Sequence, residues 1–200
     1  MASDHYFAPR PSARGRRQSF TISVRGHEVS LTTEAGVFSR RRVDAGTRLL
    51  IGNLEVHAGD RFLDLGCGYG VVGIVAALVA PGAEVGLVDI NERAAELARA
   101  NVRANGIENA EVFQGDGFAP LAGRSFDVIA LNPPIRAGLR VVHRLIEESR
   151  EQLSAGGRLY LVGRTRQGVV RLGEKMREVF GEVREVAKGG GYRLYLSHRR

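Results

Sequence analysis

Hydrophobic and polar positions alternate near the start of the chain, in the stretch SFTISVRGHEVSLTT. Phe20, Ile22 and Val24 are separated by polar residues, and a similar alternation resumes after Arg25 and Gly26. Period-two alternation on both sides of a short Gly-containing link predicts a β-hairpin. Two strands are too few to be stable alone, so we expect the hairpin to lie against a larger unit.

From Asp60 onward, short apolar runs alternate with stretches of helical period. The runs that predict strands are RFLDL, EVGLVDI, AEVFQ, FDVIAL and GRLYLVG. The stretches that predict helices are GVVGIVAALVA, ERAAELARANVRANG, GLRVVHRLIEESREQL and GVVRLGEKMREVFG. This order predicts an α/β fold with a Rossmann-like, doubly wound sheet that helices cover on both faces. The link between EVREVAK and YRLYLSH is too short for a crossover helix, so we expect a seven-stranded sheet with an antiparallel last strand.

The length and composition predict one domain, because 200 residues with 44% hydrophobic content can bury one sizeable core. The predicted boundaries are a flexible basic tail at 1–18 and a single domain at 19–200, the latter divided into a hairpin and cofactor-covering segment at 19–58 and a core at 59–200. Within the covering segment we predict a helix from about Asp44, with Leu49, Leu50 and Leu54 toward the core.

The charge favours a polyanionic partner. A net charge of +7 and a pI near 10.3 make a polyanion such as nucleic acid a natural partner, although the same charge could simply form a solvated surface. No apolar stretch is long enough for a membrane span and the first residues lack the apolar run of a secretory signal, so we expect a cytoplasmic protein. Because Cys67 is the single cysteine, we predict neither an internal disulfide nor a metal site.

The glycine-rich stretch LDLGCGYGVVG joins the first strand of the core to its helix. Gly66, Gly68 and Gly70 allow the backbone to turn sharply and to approach a ligand closely. Gly68, Gly70 and Gly73 also fit the spacing of a dinucleotide-binding turn, with Asp89 as the ribose-binding acid. A nicotinamide-dependent oxidoreductase is therefore one alternative function.

Asp64 argues against that alternative, because a carboxylate before the turn repels a pyrophosphate. It favours a cationic ligand such as S-adenosylmethionine, whose ribose would bind Asp89. Asp116 could accept a hydrogen bond from the adenine amino group, and Phe118 or Ile90 could pack on the ring. The predicted cofactor-binding residues are Asp64, Gly66, Cys67, Gly68, Gly70, Asp89, Ile90, Asp116, Gly117, Asn132, Phe38 and Thr47.

The stretch ALNPPIRAGLR contains two adjacent prolines directly after a strand. Pro133 and Pro134 cannot donate to a sheet and restrict the backbone, so they hold Asn132 and nearby carbonyls toward the ligand. Asn132 Oδ1 and the Pro133 carbonyl could accept the two N–H bonds of an exocyclic amine of guanine or adenine and favour its methylation. The predicted catalytic residues are Asn132, Pro133, Pro134 and Ile135.

The motifs DLGCGYG, VDIN, DGF and NPPI, in this order, resemble those of class I S-adenosylmethionine-dependent methyltransferases. More narrowly, GVFSRRRVDAGTRLL, NPPIRAG and GGGYRLY are similar to segments of the small-subunit (16S) rRNA guanine-N2 methyltransferases and of their single-domain archaeal relatives. The likeness covers roughly Phe20 to Ser197. It implies guanine N2 of rRNA, free or in a ribosomal particle, as the methyl acceptor, and it implies that residues 36–50 fold over the cofactor.

Two features differ from that family. The bacterial rRNA enzymes usually carry a second, degenerate N-terminal domain, which we do not expect within these 200 residues. The fourth motif residue is often aromatic and stacks on the target base, which Ile135 cannot do equivalently. Phe38 or Tyr192 could stack instead, although each could equally pack in the core. The predicted substrate-binding residues, most of them candidates for RNA phosphate, are Arg136, Arg140, Tyr192 and Arg193.

Further alternatives stay open at this point. The acceptor could be a glutamine amide (N5) of a protein or adenine N6, although glutamine methylation typically accompanies an NPPY motif and a helical domain. A non-catalytic RNA-binding module is a third class, which the presence of Asp64, Asp89 and Asn132 disfavours.

Overall fold

The computed structural model describes residues 17–34, 43–133 and 138–200. Within these ranges the strands are β1 (Arg17–Val24), β2 (His27–Glu34), β3 (Arg61–Leu65), β4 (Glu84–Asp89), β5 (Ala110–Gln114), β6 (Phe126–Leu131), β7 (Leu153–Arg164), β8 (Arg184–Gly189) and β9 (Tyr192–His198). The α-helices are α1 (Ala45–Asn53), α2 (Val71–Val79), α3 (Glu92–Ala104), α4 (Leu139–Gln152) and α5 (Val169–Phe180). Short 3-10 helices are formed by Ala119–Leu121 and Thr165–Gln167.

The described part of the chain contains a seven-stranded sheet in the order β5-β4-β3-β6-β7-β9-β8. The strands β3 to β7 are parallel, and β9 is antiparallel to both β7 and β8. The Rossmann-like fold with an antiparallel last strand is thereby confirmed. Because β3 lies between β4 and β6, the loops after these three strands meet at one edge of the sheet.

The first two strands form the predicted hairpin, paired from Arg17↔Glu34 to Val24↔His27. The hairpin packs against α3, and side-chain amides at the end of that helix form hydrogen bonds with the backbone of β2. Asn101 bonds both the N–H and the carbonyl of Thr32, and Asn105 does the same for Ser30. The strand begins at Arg17, so Arg17 and Gln18 belong to the hairpin, whereas residues 1–16 of the predicted tail lie outside the described residues.

The predicted helix near Asp44 is α1. Asp44 is its N-cap, because the side chain accepts from the backbone N–H groups of Gly46 and Thr47. Leu50 is fully buried, and the helix packs on β7, β8 and β9. This packing brings the beginning of α1 to the sheet edge at which β6 ends.

Two apolar layers cover the sheet, one on each face. Side chains that alternate along a strand enter different layers, as Phe62 and Leu63 do in β3. The helices α1, α2 and α3 cover one face, and α4 and α5 cover the other. None of the helices in the described ranges has the length and apolarity that a membrane span requires.

Candidate active site

Three of the polar residues predicted to bind ligand lie at or near the ends of neighbouring strands. Asp64 is the fourth residue of β3, Asp89 ends β4, and Asn132 follows the last residue of β6. Parallel pairing of β3 with both β4 and β6 brings these residues to the same edge of the sheet. This edge, where β3, β4, β5, β6 and β7 end, is called the carboxyl edge below, and the opposite one the amino edge.

The glycine-rich turn has the left-handed backbone that its sequence predicted. Gly66, Gly68 and Gly70 have φ angles of 76°, 57° and 92°. A Cβ built on Gly66 would meet no atom within 4 Å, so the turn leaves open space in which a ligand can approach the backbone. Gly73 has another role, since its Cβ would lie 2.5 Å from Leu87 Cγ and prevent the packing of α2 on the sheet.

Asp89 holds this turn in place. Its Oδ2 accepts a hydrogen bond of 2.8 Å from Gly68 N, and its Oδ1 accepts one of 2.8 Å from Asn91 N. Asp89 is 4% exposed, so the carboxylate lies under the turn at the end of β4. Its predicted contact with a ribose stays a prediction.

Asp64 is a buried acid that no cation neutralises within the described residues. Burial raises the pKa of its carboxyl to about 7, the charge of Asp89 raises it as well, and a hydrogen bond from Gly73 N opposes the shift. The donor–acceptor distance in that hydrogen bond is 2.9 Å. A cationic ligand at this position would stabilise the ionised form, which fits an α-ammonium group and not a pyrophosphate.

Cys67 is buried between the glycines, and its Sγ lies 3.6 Å from the carbonyl oxygen of Gly68. Burial, with the charges of Asp89 and Asp64, raises the pKa of the thiol well above its ordinary value. A neutral, buried thiol fills space in the turn and is not a nucleophile.

The residues predicted to surround the adenine differ in their exposure and in the contacts that they already make. Asp116 is exposed, and its Oδ1 accepts a hydrogen bond of 2.7 Å from Arg144. Phe118 is buried among the residues of the α4 layer, which disfavours it as the residue that packs on the ring. Ile90 is half-buried and remains the candidate, and its carbonyl oxygen accepts a hydrogen bond from Gln114 Nε2 at the end of β5. Gly117, which follows Asp116, has a φ of 55°.

Asn132 is held by a hydrogen-bond chain that begins at the N-cap of α1. Thr47 Oγ1 donates to Asp44 Oδ2 at 2.6 Å, and Asn132 Nδ2 donates to Thr47 Oγ1 at 3.1 Å. Because Thr47 has one hydroxyl proton and Asp44 receives it, Thr47 must accept from Asn132. The side-chain amide is therefore oriented with Nδ2 toward Thr47. Asn132 Oδ1 has no hydrogen-bond partner among the described residues.

Sequence reasoning missed the role of Asp44. Thr47 was predicted to contact the cofactor, whereas its described contacts are with Asp44 and Asn132. The motif DAGT contains a signal for this arrangement, because an Asp directly before a helical stretch is a typical N-cap. That the capped helix would reach Asn132 depends on tertiary packing.

The rest of the predicted catalytic and covering residues are only partly described. Pro133 is buried beside Asn132. Pro134, Ile135, Arg136 and Phe38 lie outside the described residues.

The predicted substrate-binding residues are in different environments. Arg140 is exposed near the start of α4. Tyr192 is 7% exposed, and a Cβ built on Gly46 would lie 2.4 Å from its ring. Its burial against α1 supports the core-packing alternative and leaves little ring surface for a base. Arg193 forms an ion pair with Glu185, so it is not a free cation at the carboxyl edge.

Arg164, the last residue of β7, was missed by the sequence analysis. Its Nε donates a hydrogen bond of 2.6 Å to the hydroxyl of Tyr192, and its guanidinium lies 5.1 Å from the centre of the Tyr192 ring. The side chain is exposed, and it lies on the same side of the sheet as α1.

The fold and this site define a Rossmann-like methyltransferase domain. Residues 28–196 match the methyltransferase small domain family, and the chain belongs to that family. The family uses S-adenosylmethionine, so the cofactor predicted from the sequence is confirmed.

Two bacterial proteins are similar to this chain over nearly its whole length. The uncharacterized protein YbxB of Bacillus subtilis is 40% identical over 194 residues, covering 95% of this chain and 96% of that protein. Ribosomal RNA small subunit methyltransferase C of Shewanella amazonensis is 34% identical over 197 residues, covering 96% of this chain and 56% of that enzyme. The chain thus spans little more than half the length of this rRNA methyltransferase.

A solved structure has the same fold. The 16S rRNA N2 G1207 methyltransferase RsmC of T. thermophilus, in complex with AdoMet and guanosine, matches with a TM-score of 0.82 and 26% identity. The match covers 92% of this chain and 51% of that one.

Proposed function

We propose that this protein transfers a methyl group from S-adenosylmethionine to the exocyclic N2 of a guanine in small-subunit rRNA. Two relatives support the proposal, since one is named as a small-subunit rRNA methyltransferase and the other as a guanine-N2 enzyme bound to guanosine. The basic charge of the chain suits an RNA substrate.

The observation that carries the proposal is the orientation of Asn132. Its Nδ2 is bonded to Thr47, so Oδ1 is the side-chain atom available to a substrate. An acceptor oxygen suits an amino group, which has two N–H bonds to donate and no free basic lone pair. A hydroxyl or thiol acceptor would instead require a general base, and the amide is not one.

The predicted cofactor-binding residues would contact the cationic and polar groups of S-adenosylmethionine. S-adenosylmethionine, when bound, supplies a methyl group on a positively charged sulfur, which makes that methyl electrophilic. Asp64 would pair with the α-ammonium group and Asp89 with the ribose hydroxyls. Ile90 would pack on the adenine, and the Asp116 oxygen not taken by Arg144 would accept from its amino group.

Asn132 Oδ1 and the Pro133 carbonyl would accept the two N–H bonds of guanine N2. These hydrogen bonds favour a tetrahedral nitrogen, whose lone pair is then available to attack the methyl carbon. As the N–C bond forms, the carbon–sulfur bond breaks and its electron pair stays on sulfur. The extra proton of N2 passes to water, because a methylated amine of this kind is strongly acidic.

Labelled methyl transfer to rRNA tests the proposal. The rRNA is taken from a strain that lacks the gene, and nucleoside mass spectrometry identifies the product. We expect N2-methylguanosine at one small-subunit position. In Asn132→Ala we expect kcat to fall by roughly 100-fold or more, as when a transition-state hydrogen bond is removed, while the Kd for the cofactor changes little. Product as N6-methyladenosine, or methyl in protein only, would contradict the proposed acceptor.

Two variants of Thr47 provide the matched control. Thr47→Val removes the hydroxyl that orients Asn132, and we expect kcat to fall about tenfold, equivalent to about 1.4 kcal/mol. Thr47→Ser retains the hydroxyl, so kcat should stay close to that of the wild type. Equal activity of the valine and serine variants would show that the orientation of Asn132 does not depend on Thr47.

A further inference from the structure

Arg164 is an exposed cation whose position is fixed by the protein. The hydrogen bond from its Nε to the Tyr192 hydroxyl and the position of its guanidinium over the ring restrict its rotamers. Tyr192 is itself buried against Gly46 and pairs directly with Arg164 across β9 and β7. The two terminal nitrogens of the guanidinium are not used by these contacts.

No carboxylate in the described ranges forms an ion pair with Arg164. The hydrogen bond to Tyr192 raises the pKa of Arg164 most, and the charge of Asp44 adds to this shift without a direct ion pair. Asp44 is already engaged, because its two oxygens accept hydrogen bonds from Gly46 N, Thr47 N and Thr47 Oγ1. The guanidinium is thus oriented by the protein but not neutralised by a direct partner.

Arg164 lies near Asn132 on the same face of the sheet. Leu131 of β6 is paired with Leu161 of β7, so Asn132 lies beside Val162. Arg164 lies two residues beyond Val162 on β7. Ordinary strand spacings put the two Cα atoms roughly 8 Å apart. Arg166 follows in the adjoining 3-10 helix and is also exposed.

We propose that Arg164, oriented by Tyr192, binds a backbone phosphate of the RNA strand next to the target nucleotide, with Arg166 as a second contact. This inference rests on the proposed function. A guanidinium matches a phosphate through two parallel hydrogen bonds, and phosphate contacts fix the register of a protein on nucleic acid. Asn132 then binds the amine while Arg164 holds the backbone that carries its nucleotide.

The matched control for Arg164 is Arg124. Its guanidinium also lies over an aromatic ring, 4.6 Å from the centre of Phe113, but it forms an ion pair of 3.1 Å with Glu111. It precedes β6 and therefore lies at the amino edge. Arg124→Gln removes the same charge without removing a cation near Asn132.

The experiment measures RNA affinity independently of methylation. Fluorescence anisotropy with a labelled fragment of small-subunit rRNA, at several salt concentrations, compares the wild type with Arg164→Gln, Tyr192→Phe and Arg124→Gln. We expect Arg164→Gln to bind about fivefold more weakly at low salt, with a slope of log Kd against log salt lower by about 1. Tyr192→Phe should show a smaller loss, because the ring stays and the orienting hydroxyl is removed.

Calorimetry with S-adenosylmethionine and a thermal unfolding curve complete the test. Cofactor affinity should be unchanged in Arg164→Gln, and the Tm should fall only slightly, because the variant loses the contacts with Tyr192. The proposal is overturned if Arg164→Gln and Arg124→Gln weaken RNA binding equally, if neither does, or if Arg164→Gln weakens cofactor binding instead. Failure of the proposed function is seen separately, as wild-type protein that produces no N2-methylguanosine.

Discussion

The two edges of the central sheet use charged residues in opposite ways. At the amino edge, Arg61 bonds Asp127 at 3.1 Å and Arg158 bonds Asp60 at 3.1 Å. At the carboxyl edge, Asp64 is buried without a cation partner among the described residues, and Arg164 is exposed without an acid partner among them.

This difference separates groups that stabilise the fold from groups that remain available for ligands. Paired charges at the amino edge neutralise one another, whereas in the proposed function Asp64 would bind a cation and Arg164 an anion at the carboxyl edge. Ion pairs also occur at the carboxyl edge, between Arg144 and Asp116 after β5 and between Arg193 and Glu185 on β9 and β8, so the contrast concerns Asp64 and Arg164 in particular.

Among the variants that compare the two edges, Asp64→Asn is expected to have the largest effect. The amide cannot supply a negative charge to an ammonium group, so cofactor affinity should fall about 30-fold, equivalent to about 2 kcal/mol. In the wild type, the pKa of about 7 means that affinity should rise with pH between about 6 and 8 and then level off. Isothermal titration calorimetry at several pH values measures the cofactor affinity of the variant and the pH dependence in the wild type. The variant should lack this pH dependence.

Stability provides the control for Asp64→Asn. A folded-state pKa of about 7 lies above the ordinary value of 3.8, so the ionised carboxyl costs stability that increases as pH rises from about 4 to 7. The variant should therefore not be less stable than the wild type at pH 8. Unchanged cofactor affinity in a folded Asp64→Asn protein would contradict the role of the carboxyl edge in binding a cation.

A smaller effect is expected from Gly46→Ala, which tests the packing of α1 at the carboxyl edge. The new Cβ would lie 2.4 Å from the Tyr192 ring, and relieving this overlap should lower the free energy of unfolding by about 1.5 kcal/mol. Gly52 lies in the same helix, and its Cβ would meet no atom within 4 Å. Gly52→Ala should stabilise the protein by about 0.5 to 1 kcal/mol. Urea denaturation measures both, and equal effects would show that the Tyr192 contact is not rigid.

The smallest effect is expected at the amino edge, from Asp127→Asn. Burial tends to raise the pKa of Asp127, but hydrogen bonds from Arg61 and Ser154 outweigh it and hold the value at about 2. Because this is below the unfolded value, the carboxylate stabilises the fold above about pH 4, and the contribution is lost as pH falls toward 2. We expect a loss of about 1 kcal/mol at pH 7, a smaller difference near pH 2, and unchanged cofactor affinity. A loss of cofactor binding would contradict the separation of the two edges.

Much of the fold could be predicted from the sequence because its signals are local. The alternation around Gly26 identified the hairpin, and the order of apolar runs and helices identified the parallel sheet. The left-handed turn at Gly66, Gly68 and Gly70 is likewise a property of a short stretch. The family resemblance added the cofactor and a candidate acceptor.

The contacts that orient the candidate site could not be predicted in this way. The bond between Thr47 and Asn132 joins residues 85 positions apart, and the one between Arg164 and Tyr192 joins residues 28 apart. Phe118 illustrates the same limit, since its position two residues after Asp116 gave no sign that its side chain would be buried in the apolar layer under α4 and α5.

The sequence by itself determined which residues follow each strand, and therefore that Asp64, Asp89 and Asn132 lie at one edge of the sheet. Only the tertiary structure decided which atom of Asn132 is available and that Tyr192 orients the side chain of Arg164. Strand order follows from local hydrophobic pattern and chain connectivity, whereas the orientation of a side chain depends on the helix or strand that packing brings beside it.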